Sequence, residues 1–295
     1  MTWMQQFPTM GQEQLRMLRQ TIDASFLTFS RNYGDALEQF FNPLRQFLIF
    51  SEQTLSQAPW LLVLSIIAGV AWGATRSLKL VLATLLAFIA LGYLGMWDDT
   101  MKTLSMILVA TLLTIILGLP TGILLSRSNR LERVVNPVLD VMQTLPSFVY
   151  LIHVVMLLGI GRVPGIIAVI IYALPPVIRF TNLGIRLIAK DAIEVADAFG
   201  ASAWQKLTRV QLPLALPTIM AGINQSIMLA LAMVVIAAMI GVPGLGQPVL
   251  RAINNQYFTL GLFNGFAIVV IAIVFDRISQ MYGKRLQKHL EVSHD

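Results

Sequence analysis

Seven long apolar stretches constrain the fold of this 295-residue chain more than any other feature. Each is long enough for an α-helix to cross the hydrocarbon core of a bilayer, which takes about 17–25 residues. Only 12% of the residues are charged, whereas soluble domains carry roughly 25%. The sequence therefore predicts an all-α polytopic membrane bundle with spans near 57–74, 78–97, 103–125, 137–159, 163–181, 214–240 and 257–276.

The lysines and arginines between these stretches predict the orientation of the chain. They cluster after the first, third and fifth spans and at the C-terminus, as in Arg127, Arg130 and Arg133. Because positively charged loops stay on the cytoplasmic side, the C-terminus is predicted to be cytoplasmic and the N-terminal tail to lie outside. The net charge of +6 is explained by these loops, so no nucleic-acid partner is expected.

The N-terminal tail, residues 1–56, contains one apolar stripe with helical spacing. The stripe predicts an amphipathic helix that is too polar to span the membrane. Such a helix either lies in the outer membrane interface or packs on the bundle. No cleaved signal is expected, because the first residues lack a basic start followed by an apolar core. The residues of the stripe are Leu37, Phe40, Phe41, Leu44, Phe47 and Leu48.

A polar segment, residues 182–213, interrupts the apolar spans and is predicted to be the longest cytoplasmic connection. Its Ala, Leu, Lys and Glu residues favour a helix, and Asp191 and Glu194 have the spacing of a capping box. Gly200 is expected to end this helix, and Pro213 fits only near the start of the next one. The segment is thus predicted to cross the cytoplasmic face as a short helix and then return into the membrane.

The same segment resembles the cytoplasmic loop of permease subunits from ABC importers. In those permeases E-A-A is followed by three residues, Gly, nine residues and I-x-L-P. The spacing is the same here, and the two departures replace Ala and Ile by Val. The matching residues are Glu194-Val195-Ala196, Gly200 and Val210-Gln211-Leu212-Pro213.

Other stretches resemble the glycine betaine, proline betaine and choline family of these permeases. The resemblance covers about residues 100–280, although His153 stands where the family usually has Pro. It implies the fold of a type I ABC-importer permease and the import of quaternary ammonium compatible solutes. The stretches that carry it are 142–152, 172–186, 216–241 and 244–246.

The resemblance also implies the partners and the site of coupling. Two copies of the chain would pair around a translocation path in the bacterial inner membrane. The pair would bind two ATPase subunits on the cytoplasmic side and an extracytoplasmic substrate-binding protein outside. ATP and Mg would be bound by the ATPase, so no enzymatic activity or cofactor is expected in this chain, which lacks a G-x-x-x-x-G-K-[ST] loop. The residues implied to couple to the ATPase are Glu194, Ala198, Gly200, Leu212 and Pro213.

Polar and aromatic residues in two of the spans are candidates for the translocation path. A proline predicts a kink in the fourth span, and two aromatic residues beside it either offer π faces to a quaternary ammonium group or serve packing. Three polar residues in the sixth span either line the path or join helices by hydrogen bonds. The candidates are Pro146, Phe148, Tyr150, Asn224, Gln225 and Ser226.

Two alternative functions stay open. An ABC permease for another small solute, such as an amino acid, would carry the same loop motif. An ion-coupled secondary transporter would bind its solute and ion near the midplane, but no carboxylate lies deep in a predicted span. The predicted organisation is a tail at 1–56, two peripheral helices at 57–99, a permease core at 100–281 and a cytoplasmic tail at 282–295.

Overall fold

The computed structural model describes residues 9–291, and within that range the chain is almost entirely helical. A π-helical turn, Leu207–Gln211, joins the ninth and tenth helices. The helices in chain order are α1 (Gln12–Gln57), α2 (Trp60–Thr75), α3 (Leu78–Tyr93), α4 (Trp97–Ser126), α5 (Asn129–Thr144), α6 (Ser147–Leu158), α7 (Arg162–Arg186), α8 (Lys190–Ala198), α9 (Ala203–Lys206), α10 (Leu212–Ala232), α11 (Val234–Ala238), α12 (Gly246–Asn255) and α13 (Phe258–Glu291).

The lengths and apolar compositions of these helices confirm a polytopic membrane bundle. Two further spans result if each of two bent helix pairs counts as one, and α3 is apolar but has only 16 residues. The predicted set of seven similar spans is therefore revised to four continuous helices, two bent pairs and one shorter helix. The continuous helices of membrane-spanning length within the described residues are Trp97–Ser126, Arg162–Arg186, Ala203–Ala238 and Phe258–Arg285.

The predicted fourth span is broken into two helices rather than kinked. The axes of α5 and α6 differ by 96°. Pro146 has no backbone N–H, and it holds Leu145 in an extended conformation with ψ of 133°. The hydroxyl of Tyr150 lies 2.9 Å from the carbonyl oxygen of Val141 and also contacts that of Met142. The carbonyl of Met142 would accept from residue 146 in a continuous helix, so the hydroxyl of Tyr150 replaces the N–H that Pro146 lacks. The carbonyl of Val141 already accepts from the N–H of Leu145 at 3.1 Å, and Tyr150 adds a second bond to it.

The N-terminal helix α1 is much longer than the predicted stripe and turns by 106° into α2. Leu48 is buried and Leu44 packs against the main core, whereas Phe40 is 74% exposed. Glu52 accepts two hydrogen bonds from Arg162 at the start of α7, at 2.8 and 3.0 Å. The helix therefore packs on the bundle through part of the stripe, and its place in the outer membrane interface stays a prediction.

Helix α7 lies at the centre of the bundle, between α4 and α10. Close approach depends on small residues, as in many membrane helix pairs. A Cβ added at Gly122 of α4 would lie 2.6 Å from Cβ of Thr181, and one at Gly222 of α10 would lie 2.6 Å from Cβ of Phe180. Neither contact is possible without moving a helix, so these glycines set the spacing of the core.

We expect Gly122→Ala to lower the free energy of unfolding by about 1–3 kcal/mol, because an added methyl group overpacks the contact between α4 and α7. The matched change Gly69→Ala in α2 has open space around the new Cβ. It should be neutral or stabilising by up to about 1 kcal/mol, since Ala is the better helix former. Thermal unfolding of the purified chain in detergent, followed by circular dichroism, measures both, and equal midpoints would contradict the role of Gly122.

Candidate functional site

The predicted coupling segment folds as the short helix α8, a sharp turn and α9. The predicted capping box of Asp191 and Glu194 is wrong, because α8 begins one residue before Asp191 and has no side-chain cap. The charge of Asp191 still lies in the first turn, where it favours the helix dipole. A capping box forms instead at α9, where Ser202 and Gln205 each accept a hydrogen bond from the backbone N–H of the other.

Gly200 ends the coupling helix as predicted and does so in a left-handed conformation, with φ of +70°. Its N–H donates to the carbonyl of Asp197 at 2.9 Å, and the N–H of Ala201 donates to that of Ala196 at 3.0 Å. This pair of bonds is the Schellman motif, in which glycine is favoured because it has no Cβ. No atom lies within 4 Å of a Cβ added at Gly200, so the outer side of the turn is open.

The turn carries an exposed apolar surface outside the bundle. Phe199 is 88% exposed and Trp204 is 70% exposed, while Glu194, Ala198 and Gly200 are also exposed. Large exposed apolar side chains grouped with polar ones are typical of a protein–protein contact. Three of the five predicted coupling residues therefore share one accessible surface.

The other two predicted coupling residues, Leu212 and Pro213, lie half-buried at the start of α10. The N–H of Leu212 bonds to the carbonyl of Leu207, five residues earlier, so the π-helical turn ends directly before the proline. Pro213 cannot donate a backbone bond, and the wider turn allows the helix to continue through it. The helical run from Ala203 to Ala238 is thus continuous, and the sixth predicted span begins well before residue 214.

A groove of about 710 Å³ separates α8 from the C-terminal end of α7 and the N-terminal end of α10. The helix α8 itself packs mainly against α9 and the π-helical turn. Asp197 near the end of α8 forms an ion pair with Lys206 at the end of α9. The coupling helix is therefore fastened to the continuous helix behind it more firmly than to the rest of the bundle.

Arg186 at the end of α7 forms a polar junction just before α8, which the sequence analysis did not predict. Its guanidinium donates to Oδ1 of Asn182 at 2.8 Å, to Oδ1 of Asn129 at 2.6 Å and to the carbonyl oxygen of Leu125 at 2.8 Å. Glu132 lies 3.0 Å from the same guanidinium and accepts a bond from Asn182 at 2.7 Å. The junction joins the C-terminal ends of α4 and α7 with the N-terminal end of α5.

The predicted residues of the translocation path do not meet at one site. Asn224 donates to Asp276 of α13 at 2.8 Å, and Ser226 bonds to Thr114 of α4 at 3.2 Å, so both join helices. Gln225 is exposed.

The residues around the α5–α6 corner are also divided. Pro146 and Phe148 are exposed, whereas Tyr150 is buried with its hydroxyl directed at α5. The π face of Phe148 is therefore the accessible one. A role in the path stays a prediction for all six residues.

Comparison with known families identifies the family of this chain. Residues 114–288 match the family described as binding-protein-dependent transport system inner membrane component. The chain belongs to this family. The matched region contains the coupling segment and the central helices of this inner membrane component.

Several permease proteins are similar to this family member. GbuB, a glycine betaine/carnitine transport permease protein of Listeria monocytogenes, is 45% identical, covering 77% of this chain and 81% of GbuB. OpuAB, a glycine betaine transport system permease protein of Bacillus subtilis, is 44% identical, covering 89% and 93%. ProW, a glycine betaine/proline betaine permease protein of Escherichia coli, is 49% identical over 79% of this chain. The matched region spans 66% of that ProW, slightly less than two thirds of its length.

The tertiary structure is similar to that of the inward-facing MetNI methionine ABC transporter. The TM-score is 0.57, with 22% sequence identity, and the match covers 63% of this chain and 93% of the MetNI chain. At this identity the likeness shows the fold alone. It confirms the predicted fold of a type I ABC-importer permease.

We expect Arg186→Met to lower the free energy of unfolding by about 1.5–3 kcal/mol, because hydrogen bonds to a charged group are lost and their acceptors remain. The control is Arg45→Met in α1. Arg45 forms an exposed ion pair with Glu38 at 3.8 Å, and removing such a pair costs at most about 1 kcal/mol. Thermal unfolding in detergent compares the two variants. Similar losses would show that the Arg186 junction does not hold the three helices together.

Proposed function

We propose that this chain is the transmembrane permease subunit of an ATP-driven ABC importer for quaternary ammonium compatible solutes such as glycine betaine, proline betaine or choline. The observation that carries the proposal is the exposed turn that ends at Gly200, with the residue spacing of the ABC coupling loop. The names of GbuB, OpuAB and ProW support the solute class.

The coupling turn would bind a groove of the ATPase subunit. Phe199 and Trp204 would supply apolar contact area, and Glu194 a charge for an ion pair. ATP and Mg would be bound and ATP hydrolysed by the two ATPase subunits, so this chain contributes no catalytic residue. When the ATPases close, they would push on α8 and α9. The continuous helix from Ala203 to Ala238 would carry that movement into the bundle.

The rest of the importer follows from the same proposal. Two copies of the chain would form the translocation path in the inner membrane, with the N-terminus outside and the C-terminus in the cytoplasm. A substrate-binding protein would deliver the solute to the outer face. Helices α2 and α3 would be peripheral, since they pack on the edge formed by α4 and α13. The core would comprise residues 100–281.

We expect Gly200→Asn to keep the fold but to lower ATP-driven uptake at least about tenfold, the effect of losing about 1.4 kcal/mol of binding free energy. Asn tolerates the left-handed conformation, so the loss would come from the side chain entering the space that the ATPase occupies. The matched control is Gly95→Asn in the α3–α4 turn, where φ is +75° and a Cβ also meets open space. Equal uptake by the two variants would show that Gly200 does not contact the ATPase subunit.

The solute and the energy source are tested by reconstitution. Proteoliposomes with this chain, its ATPase and its binding protein should accumulate radiolabelled glycine betaine only when ATP is supplied. Preferred uptake of methionine or another amino acid would favour an amino-acid permease. Uptake by the chain alone, driven by an ion gradient, would favour a secondary transporter and overturn the proposal.

A further inference from the structure

A polar cleft of about 350 Å³ lies between α5 and α7. The side chains that α5 contributes recur every four residues, so they form one face of that helix. Three side chains from the inner end of α7 stand opposite them. None of the residues of the coupling surface or of the predicted translocation path lines this cleft. The polar lining residues are Glu132, Asn136, Asp140, Arg179, Asn182 and Arg186.

The upper part of the cleft lies at membrane depth. Arg179 precedes the end of α7 by seven residues, about 10 Å along the helix axis. Helix α7 has 25 residues, and about 20 are enough to cross the hydrocarbon core. With the hydrocarbon layer centred on α7, Arg179 and its partner Asp140 would lie about one helical turn inside its inner edge.

The exposure of this pair excludes lipid as its neighbour. In the single chain 62% of the Asp140 side chain and 38% of the Arg179 side chain are accessible. Charged side chains at this depth face a protein interior or water, because contact with lipid tails is too costly. The cleft must open toward an aqueous path or another polar surface.

The two arginines of the cleft differ in how fully they are bound. Arg186 is held by four protein groups in the junction described above. Arg179 bonds to Oδ1 of Asp140 at 2.6 Å, and its Nε is buried without a hydrogen-bond partner among the described residues. A partly exposed ion pair adds little net stability. The Asp140–Arg179 pair can therefore open at low cost, whereas the Arg186 junction cannot.

We propose that this cleft forms the inner part of the solute path and that Asp140 and Arg179 contact the two ends of a zwitterion. This inference rests on the proposed function. The carboxylate of Asp140 would attract the quaternary ammonium group, which has no N–H to donate. The guanidinium of Arg179 would bind the solute carboxylate through paired hydrogen bonds. In the empty path the two protein charges neutralise each other, so no unpaired charge remains at membrane depth.

The position of the cleft also connects it with coupling. Leu183 of α7 lines the cleft, and the next residue, Gly184, lines the groove beside α8. A movement of α8 against α7 would change the groove and the cleft together. The ATP-driven push can thus close this part of the path from the cytoplasmic side.

Single-cysteine labelling tests the cleft in the full chain, which contains no cysteine of its own. Asn136→Cys in the cleft is compared with Leu86→Cys, an exposed position in the middle of the apolar helix α3. In vesicles with the inner face outward, a charged methanethiosulfonate should modify the cysteine at 136 at least about tenfold faster, because only a hydrated thiol ionises and reacts. A rate at 136 as slow as at 86 would overturn the aqueous cleft.

Protection by solute then separates the cleft from the proposed function. Saturating glycine betaine should slow labelling at 136 at least about threefold, through occupancy of the cleft, while equimolar sucrose should not. Fast labelling that no solute slows would overturn the role as a path. Protection by an amino acid instead of a betaine would keep the path and overturn the solute class of the proposed function.

Transport by the assembled importer tests the charged pair. Asp140→Asn and Arg179→Gln should each lower ATP-driven betaine uptake at least about tenfold, because each removes one charge-assisted contact with the solute. Both should keep the thermal midpoint and the ATPase association of the unaltered chain. The control is Arg130→Gln, at an exposed position on α5, the helix that also carries Asp140. This variant should transport normally. Normal uptake by both pair variants, or loss that only follows unfolding, would overturn the assignment.

Discussion

The structure depends on one constraint: a chain inside a bilayer must satisfy its backbone hydrogen bonds without water. Helices do so along most of the described residues, and two interruptions show how the exceptions are handled. At the α5–α6 corner, the hydroxyl of Tyr150 bonds to the carbonyl of Met142, which Pro146 leaves without a backbone donor. At Pro213, a π-helical turn allows the helix to continue past a residue without an N–H. The first of these breaks changes the direction of the chain by 96°, and the second widens one turn of a continuous helix.

The same constraint explains how the helices are joined. Apolar contact alone gives little preference for one partner in lipid, so close packing and polar pairs decide which helices associate. Gly122 and Gly222 bring α4 and α10 close to α7. Ser226 with Thr114, and Asn224 with Asp276, then bond neighbouring helices across their contacts. The ends of α4 and α7 and the start of α5 are held by the Arg186 junction, which lies just before α8, the helix that would receive force from the ATPase.

The helices around the Arg186 junction are joined by many polar contacts, whereas α8 has few contacts with the bundle. The junction of Arg186 with Glu132 and Asn182 ties α5 to α7, while α8 is fastened mainly to α9 and the helix that continues from it. A push on α8 would therefore pass first to α9 and to the helix that continues from it, which packs closely on α7. The cleft with the Asp140–Arg179 pair lies beside this boundary, where such a movement changes the accessible space.

The sequence by itself determined the helical membrane class and the short polar helix that ends at Gly200, since hydropathy, charge and glycine conformation act over a few neighbouring residues. It also predicted a polar role for residues 224–226 without deciding between path and helix contact. Only the tertiary structure decided that α1 packs on the bundle, that Pro146 breaks its span, and that Arg179 faces Asp140 while Arg186 is fully bound. Those outcomes depend on contacts between residues far apart in the chain, such as Arg162 with Glu52, and no local pattern encodes such distances.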